Sequence, residues 1–348
     1  MTAPVHRARR TLIVLAKVTL AAAILGYLLV QVQRQAGFAR LVHEPKAWHL
    51  LAIGLACTLA AISLTFVRWH VLLTALGLNF RLRDTMRLGA LGFALNFVSL
   101  GSIGGDLFKA IFAAKDSPGR RTEAVATVVV DRMVGMLMML SLASVATFFV
   151  DWTAAPAAIK VLVETIRFAT VGLLVGVALV LAVPALSGGW IRKLVGSVPL
   201  VGSTAARLLG TVSAYRDEKR CVLQACSISL VSNTLFILSF YFVAQGLPVQ
   251  APMLAQHFVI VPIANLAGAI PATPSGLGTM ELAVDRLYQA VPSVSPIPAG
   301  DGTLVALGQR ATMILVAAGC LAFYILQRGN LREAMHEIEE VEAAAEAM

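Results

Sequence analysis

Six charged side chains lie inside stretches that are largely apolar. Asp106 and Lys109 fall in "LGSIGGDLFKA" (Leu100–Ala110), Asp131 and Arg132 in "VVVDRMVG", Arg310 in "ALGQRATM", and Glu281 ends "PATPSGLGTME". Arginine and lysine bind oxyanions such as phosphate. Nearby glycines (Gly104, Gly105, Gly276, Gly278) let a ligand approach the backbone closely. A helix that starts at such a break presents unpaired N–H groups and the positive end of its dipole, a ready site for phosphate. The chemistry these residues suit is therefore recognition of a polar, anionic group within an apolar chain. Metal or nucleophilic catalysis finds little support. The six histidines show no HExxH or paired spacing, and Cys57, Cys221, Cys226 and Cys320 form no CxxC. The cysteines read as small apolar residues in or beside apolar spans.

The elements that position these residues must cross or enter a membrane. The 348 residues are 58% hydrophobic and only 14% charged, against about 25% charged in soluble domains. Apolar runs long enough for a ~30 Å hydrocarbon core cover Thr11–Val30, Trp48–Val67, Val125–Val150, Thr165–Leu186, Cys221–Ala244 and Leu304–Leu326. The net charge of +9 does not indicate nucleic acid, because the basic residues lie between apolar spans and form no separate domain. The N-terminal apolar stretch exceeds the 7–15 residues of a cleavable signal core, so a retained first span is expected.

Charge sets the expected topology. Arg7, Arg9 and Arg10 place the N-terminus in the cytoplasm, and most of the 28 lysines and arginines then fall on that side. The run 88–114 has basic flanks at both ends and a glycine break in its middle. It is too short for two crossings and predicts a re-entrant hairpin entering from inside. The run 257–290 is broken by Pro271, Pro274, Gly276 and Gly278 and has flanks without lysine or arginine, which predicts a second hairpin entering from outside. The expected fold is thus an all-α polytopic membrane protein. It has about six full transmembrane helices, two opposed re-entrant helical hairpins, and both termini inside. Residues 1–330 form one domain. A cytoplasmic amphipathic segment covers about 190–216, where Leu194, Val198, Val201, Ala205, Leu208, Val212 and Tyr215 recur at helical spacing. Residues 331–348 form an acidic tail. Eight complete spans are the competing scheme.

Span 2, the first hairpin and span 3 repeat upside down as span 5, the second hairpin and span 6. Asn96 and Asn265 precede the breaks, Asp106 and Glu281 follow them, and Arg132 and Arg310 sit in the next span, each after a polar neighbour, Asp131 or Gln309. Paired broken segments in corresponding places point to a transporter's binding site. The second half-helix is expected to begin near Thr273–Gly278, where Thr273 suits a cap and Pro274 a first helical position. The two arginines are expected to meet lipid phosphate or the opposing carboxylates, Glu281 and Asp106. A plainer account has Asp106 cap its helix and pair with Lys109, and the arginines form structural ion pairs. Arg68, beside Trp69, reads as an anchor at the inner interface.

"NFVSLGSIGGDLFKA", "VDRMVG" and "PATPSGLGTMELA", in that order, resemble the lysylphosphatidylglycerol synthase transmembrane-region family, also called the flippase-like domain family. That family has Gly-Gly-Asp after the first break, Asp-Arg in the next span and Pro-x-x-Pro-Gly-Gly-x-Gly-x-x-Glu near the end; here Ser275 replaces one glycine. The resemblance covers nearly the whole chain. It implies a flippase moving an anionic phospholipid or polyprenyl-linked glycolipid across the cytoplasmic membrane. It implies no cofactor and, with the chain ending at Met348, no synthase activity. Substrate-binding residues would be Asn96, Gly104, Gly105, Asp106, Lys109, Arg132, Asn265, Thr273, Ser275, Gly276, Gly278, Glu281 and Arg310. A homodimer or a lipid-modifying enzyme is the expected protein partner. The alternatives are an integral-membrane prenyl-diphosphate phosphatase, drawing on Ser102, Ser275 or Glu281, and a non-catalytic partner of a glycosyltransferase.

Overall fold

The computed structural model describes Gly26, Val30 and residues 37–98, 104–183, 215–269, 276–293 and 295–328. Their regular structure is helical: α1 (Gly37–His43), α2 (Trp48–Ala75), α3 (Leu82–Val98), α4 (Gly104–Lys115), α5 (Arg121–Ala146), α6 (Ala157–Ala182), α7 (Lys219–Gly246), α8 (Leu254–Ala269), α9 (Thr279–Ala290) and α10 (Asp301–Arg328). A short 3₁₀ turn, Thr147–Phe149, extends α5. Five of these helices, α2, α5, α6, α7 and α10, are long and apolar enough to cross a membrane. The expected first span (11–30) lies outside the described residues except for Gly26 and Val30, both helical. The acidic tail and most of the amphipathic segment also lie outside them. At the segment's end, Tyr215 and Arg216 form a turn and not a helix.

At the centre α2 and α7 run antiparallel along their lengths. Leu51 meets Gly246, Gly54 meets Val243, and Arg68 meets Ser229. The approach is close enough that a Cβ on Gly246 would fall 2.7 Å from Leu51. Small residues at such crossings are how membrane helices gain packing contacts without a hydrophobic driving force. A Schellman motif ends α2. Gly77, at φ 67°, takes the left-handed position, and the Gly77 and Leu78 N–H groups donate to the Thr74 and Leu73 carbonyls. Arg120 then caps two further carbonyls, those of Leu76 and Gly77.

Two pairs of shorter helices flank this axis. In the first, α3 and α4 fold back on each other, Asn96 against Gly105 and Gly92 against Lys109. In the second, α8 and α9 do the same: Gly268 meets Gly276 and Met280, and His257 meets Tyr288. Helices of 17, 12, 16 and 12 residues are all shorter than the ~20 residues of a full crossing. Each pair has its own apolar core. Trp69, Leu91, Phe108 and Phe112 fill one; Phe240, Ile260, Tyr288 and Val305 fill the other. The halves interlock, because α3 packs on α10 and α8 packs on α5.

The span expected at 165–186 is α6, which starts eight residues earlier, at Ala157. Lys160, Glu164 and Arg167 lower the hydropathy of its first turns without breaking the helix, since Arg167 pairs with Glu164 and bonds Thr147. The last long helix also starts early, at Asp301. The Asp301 carboxylate accepts hydrogen bonds from Arg40 and the Gln250 N–H, so a buried acid at a helix start holds α1 against the second half.

Candidate functional site

Asp131 and Arg132 are neighbours on α5, so their side chains diverge by about 100° and find different partners. Asp131 faces the central pair. Its carboxylate accepts a 2.7 Å hydrogen bond from Arg68 Nε, while Arg68 Nη1 donates to Ser229 Oγ at 2.9 Å. Arg68 is only 5% exposed. Its expected role as an interface anchor is therefore wrong: seven residues before the end of α2, it points at α5 and α7 and not outward.

Arg132 faces the other way and pairs with Asp106 in the first turn of α4. Asp106 also lies 3.9 Å from Lys109, whose ammonium stands over the Phe66 and Trp69 rings at 5.7 and 5.5 Å. The Gly105 N–H at the start of α4 donates to Asn96 Oδ1. No side chain fits at Gly105, because a Cβ would stand 1.9 Å from the Gly92 carbonyl oxygen.

The second half repeats this arrangement with a tighter seal. Glu281 accepts a 2.5 Å bond from Arg310 Nε on one oxygen and a 2.8 Å bond from the Gly278 N–H on the other. It thus caps α9 and holds α10 at once. The expected cap was Thr273, with the helix following Pro274. Instead α9 begins at Thr279, with Gly278 at the N-cap in a φ 86° conformation that favours glycine. Thr273, Ser275 and the first break (99–103) lie outside the described residues. The expected cross-pairing of arginines with opposing carboxylates is also corrected: each arginine pairs with the acid of its own half. The hairpin fold brings that acid to the start of the helix beside the arginine's span.

Both halves open onto one cavity of about 590 Å³. Of the expected residues, Asn96, Asp106, Lys109, Arg132, Asn265 and Arg310 line it. Gly105 and Glu281 stand behind the lining and bond to it, while Gly104, Gly276 and Gly278 shape the helix starts. Arg68 and Asp131 line it as well, as do Asn233 and Gln309. Sequence reasoning did not assign these four to the site. The polar stripe Ser229–Ser232–Asn233 and the arginine inside span 2 were the available signals. Counting Glu281 with its partner, four cations (Arg68, Lys109, Arg132, Arg310) face three carboxylates, an excess of one positive charge.

The inverted relation extends to the axis. Gln309, the counterpart of Asp131, donates its amide N–H groups to Thr58 on α2 and Ser239 on α7. Thr58 and Arg68 on α2 have the same separation as Ser229 and Ser239 on α7. Asp131 and Gln309 thus hold corresponding positions on the central pair from opposite sides, one through charge and one through neutral bonds.

Among the described residues no three His, Cys, Asp or Glu side chains converge as a metal site. His257 is buried between the Met253 carbonyl and the Tyr288 hydroxyl. A model of the lysylphosphatidylglycerol synthase TM region matches residues 14–319 of the sequence. No curated protein matches it.

Proposed function

We propose lipid translocation from one premise: the chain belongs to the lysylphosphatidylglycerol synthase TM region family. It is a multi-pass membrane protein of a family tied to lipid modification or translocation, and the TM region is typically the family's non-catalytic part. The proposed substrate is an anionic phospholipid or polyprenyl-linked glycolipid, carried across the cytoplasmic membrane with both termini inside. The observation that carries this reading is the cavity shared by the two halves, with one cation in excess and Arg132 its most open charge, 53% exposed.

A charged arginine at membrane depth is costly unless it meets a partner or a polar cavity. Asp106 meets Arg132 through its Nε, and Arg132 lines the cavity, where a lipid phosphate fits its charge. The short helix pairs are read as re-entrant hairpins entering from opposite sides. Opposed rocking of the two interlocked halves then opens the cavity to each leaflet in turn. The commitment of Glu281 to Arg310 and Gly278 leaves it badly placed as a catalytic base, which weighs against the phosphatase alternative.

The test uses the purified full chain in vesicles with an acyl-labelled fluorescent phosphatidylglycerol. Wild type is expected to expose inner-leaflet lipid to an external quencher, and Arg132→Ala to slow this at least about tenfold, the scale of losing one charged contact worth ~1.5–3 kcal/mol. Equal rates in wild-type and protein-free vesicles would refute lipid translocation for this probe.

A further inference from the structure

Each carboxylate of the shared cavity already has an arginine. Arg68 bonds Asp131, Arg132 bonds Asp106 and Arg310 bonds Glu281. Lys109 on α4 is the cation left over. Its stem packs against Gly92 of α3, and its ammonium lies over the Phe66 and Trp69 rings of α2. The nearest carboxylate oxygen, Asp106 Oδ1, is 3.9 Å away, outside hydrogen-bond reach. Lys109 lines the cavity and is only 8% exposed, and among the described residues its ammonium makes no hydrogen bond. An ammonium has three donors to place, and a buried charge without hydrogen bonds is expensive.

The charged groups around it leave a single route to neutrality. Arg68 comes from α2, Asp106 from α4, and Asp131 and Arg132 from α5. The α3 residues that line the cavity, Phe93, Asn96 and Phe97, are uncharged. The pair of Arg310 with Glu281 completes the set from α10 and α9. Neither break, 99–103 or 270–275, contains a charged residue. Arginine does not give up its proton in proteins. Protonating a carboxylate would raise the excess from one positive charge to two. Lysine is the cation whose proton can leave, and its departure brings the cavity without a headgroup to zero. A singly charged phosphodiester brings the cavity with protonated Lys109 to zero as well. The two neutral states are therefore a neutral amine without a headgroup and an ammonium with one.

We infer that Lys109 carries one proton with each anionic headgroup, which makes the transport a proton–lipid symport. Lys109 Nζ takes the proton from water on the open side as the phosphate enters. It holds the proton while the halves rock, and returns it to water on the other side as the headgroup leaves. One proton accompanies one negative charge, so no net charge crosses the membrane. A pH difference then drives the lipid toward the alkaline side, and a voltage does not. The inference rests on the lipid-translocation reading above and assigns the energy source of that same site.

The test places the full chain in vesicles with a trace of acyl-labelled phosphatidylglycerol. An external quencher reads the final distribution between leaflets, and protein-free vesicles give the baseline. With potassium and valinomycin holding the voltage at zero, a pH difference of about one unit is expected to shift the lipid up to about tenfold toward the alkaline leaflet, the ratio one coupled proton supplies. A potassium diffusion potential at equal pH is expected to shift nothing. Lys109→Arg keeps the positive charge but cannot release a proton, so its response to the pH difference should be lost. A final distribution, unlike a rate, is not moved by a merely structural defect. Wild-type lipid that crosses but follows the voltage, or follows neither gradient, overturns the inference while leaving translocation standing, and this arm needs no variant. So does a Lys109→Arg chain that answers the pH difference as the wild type does. If the lipid does not cross, translocation of this lipid fails and the coupling falls with it.

Discussion

In the first half Arg132 keeps 53% of its side chain exposed beside an Asp106 shared with Lys109. In the second half Arg310 keeps 14%, beside a Glu281 that is 1% exposed and bonded through both oxygens. The same pair of charges, an arginine and a carboxylate, placed by the same inverted topology, is thus divided between two tasks. The second pair closes on itself and joins α9 to α10. The first faces the cavity and carries a second cation. An inverted repeat makes two sites of similar geometry; burial and the number of partners decide which one holds the structure and which one stays available.

The largest effect that would separate the halves is Arg310→Met. It leaves Glu281 buried without its cation, and breaking a buried pair from one side costs roughly 3–5 kcal/mol. A clear drop in unfolding temperature of the purified chain in detergent is expected. If Arg132→Met lowers that temperature as far, the contrast between a sealed and an open pair is wrong.

Gly105→Ala comes next. Its Cβ would meet the Gly92 carbonyl oxygen at 1.9 Å, a backbone atom that can yield only if α3 and α4 separate. Overpacking of this kind costs about 1–3 kcal/mol. Because Gly105 also donates to Asn96 beside the break of the first hairpin, loss of transport is expected together with the loss of stability. Gly268→Ala sharpens the comparison, since among the described residues the added Cβ comes nearest to Met280 Cβ, at 3.2 Å. Met280 Cβ moves only with the start of α9, but a few tenths of an ångström suffice, so a loss of stability and transport well below that of Gly105→Ala is expected.

How much of this was legible in the sequence follows from the range of each signal. The breaks at Gly104–Gly105 and Gly276–Gly278, and the arginines at 132 and 310, stand out locally against apolar surroundings. The hairpin pairs, the long helices and the cavity-facing arginines could therefore be placed without coordinates. Arg68 could not. Its partner Asp131 is 63 residues away, and the nearer neighbour, Trp69, suggested a membrane interface. The cap of α9 was assigned to the wrong end of the expected stretch, 273–278, for a different reason. Pro274 and Thr273 are strong helix-start signals, but the positive φ of Gly278 and the reach of Glu281 back to its N–H decide the cap, and backbone handedness leaves no mark that distinguishes one glycine from another. Gln309 was visible only as the polar counterpart of Asp131. That its amide bridges Thr58 and Ser239 is a property of α2 and α7 together.

The smallest expected change in stability is the one that bears most directly on function. Arg132 pairs with Asp106 across an open cavity, and solvent-accessible ion pairs contribute about 0–1 kcal/mol. Asp106 keeps Lys109 as a second cation when Arg132 is removed, so no carboxylate is stranded. Arg132→Gln should therefore unfold within a degree or two of wild type, given the few degrees per kcal/mol expected of large domains, while transport of an anionic lipid falls steeply. The two readouts must part company for the first half to be the working half. If unfolding temperature and transport decline together in Arg132→Gln, its ion pair with Asp106 is a structural tie like that of Arg310, and the excess positive charge of the cavity has no ligand to meet.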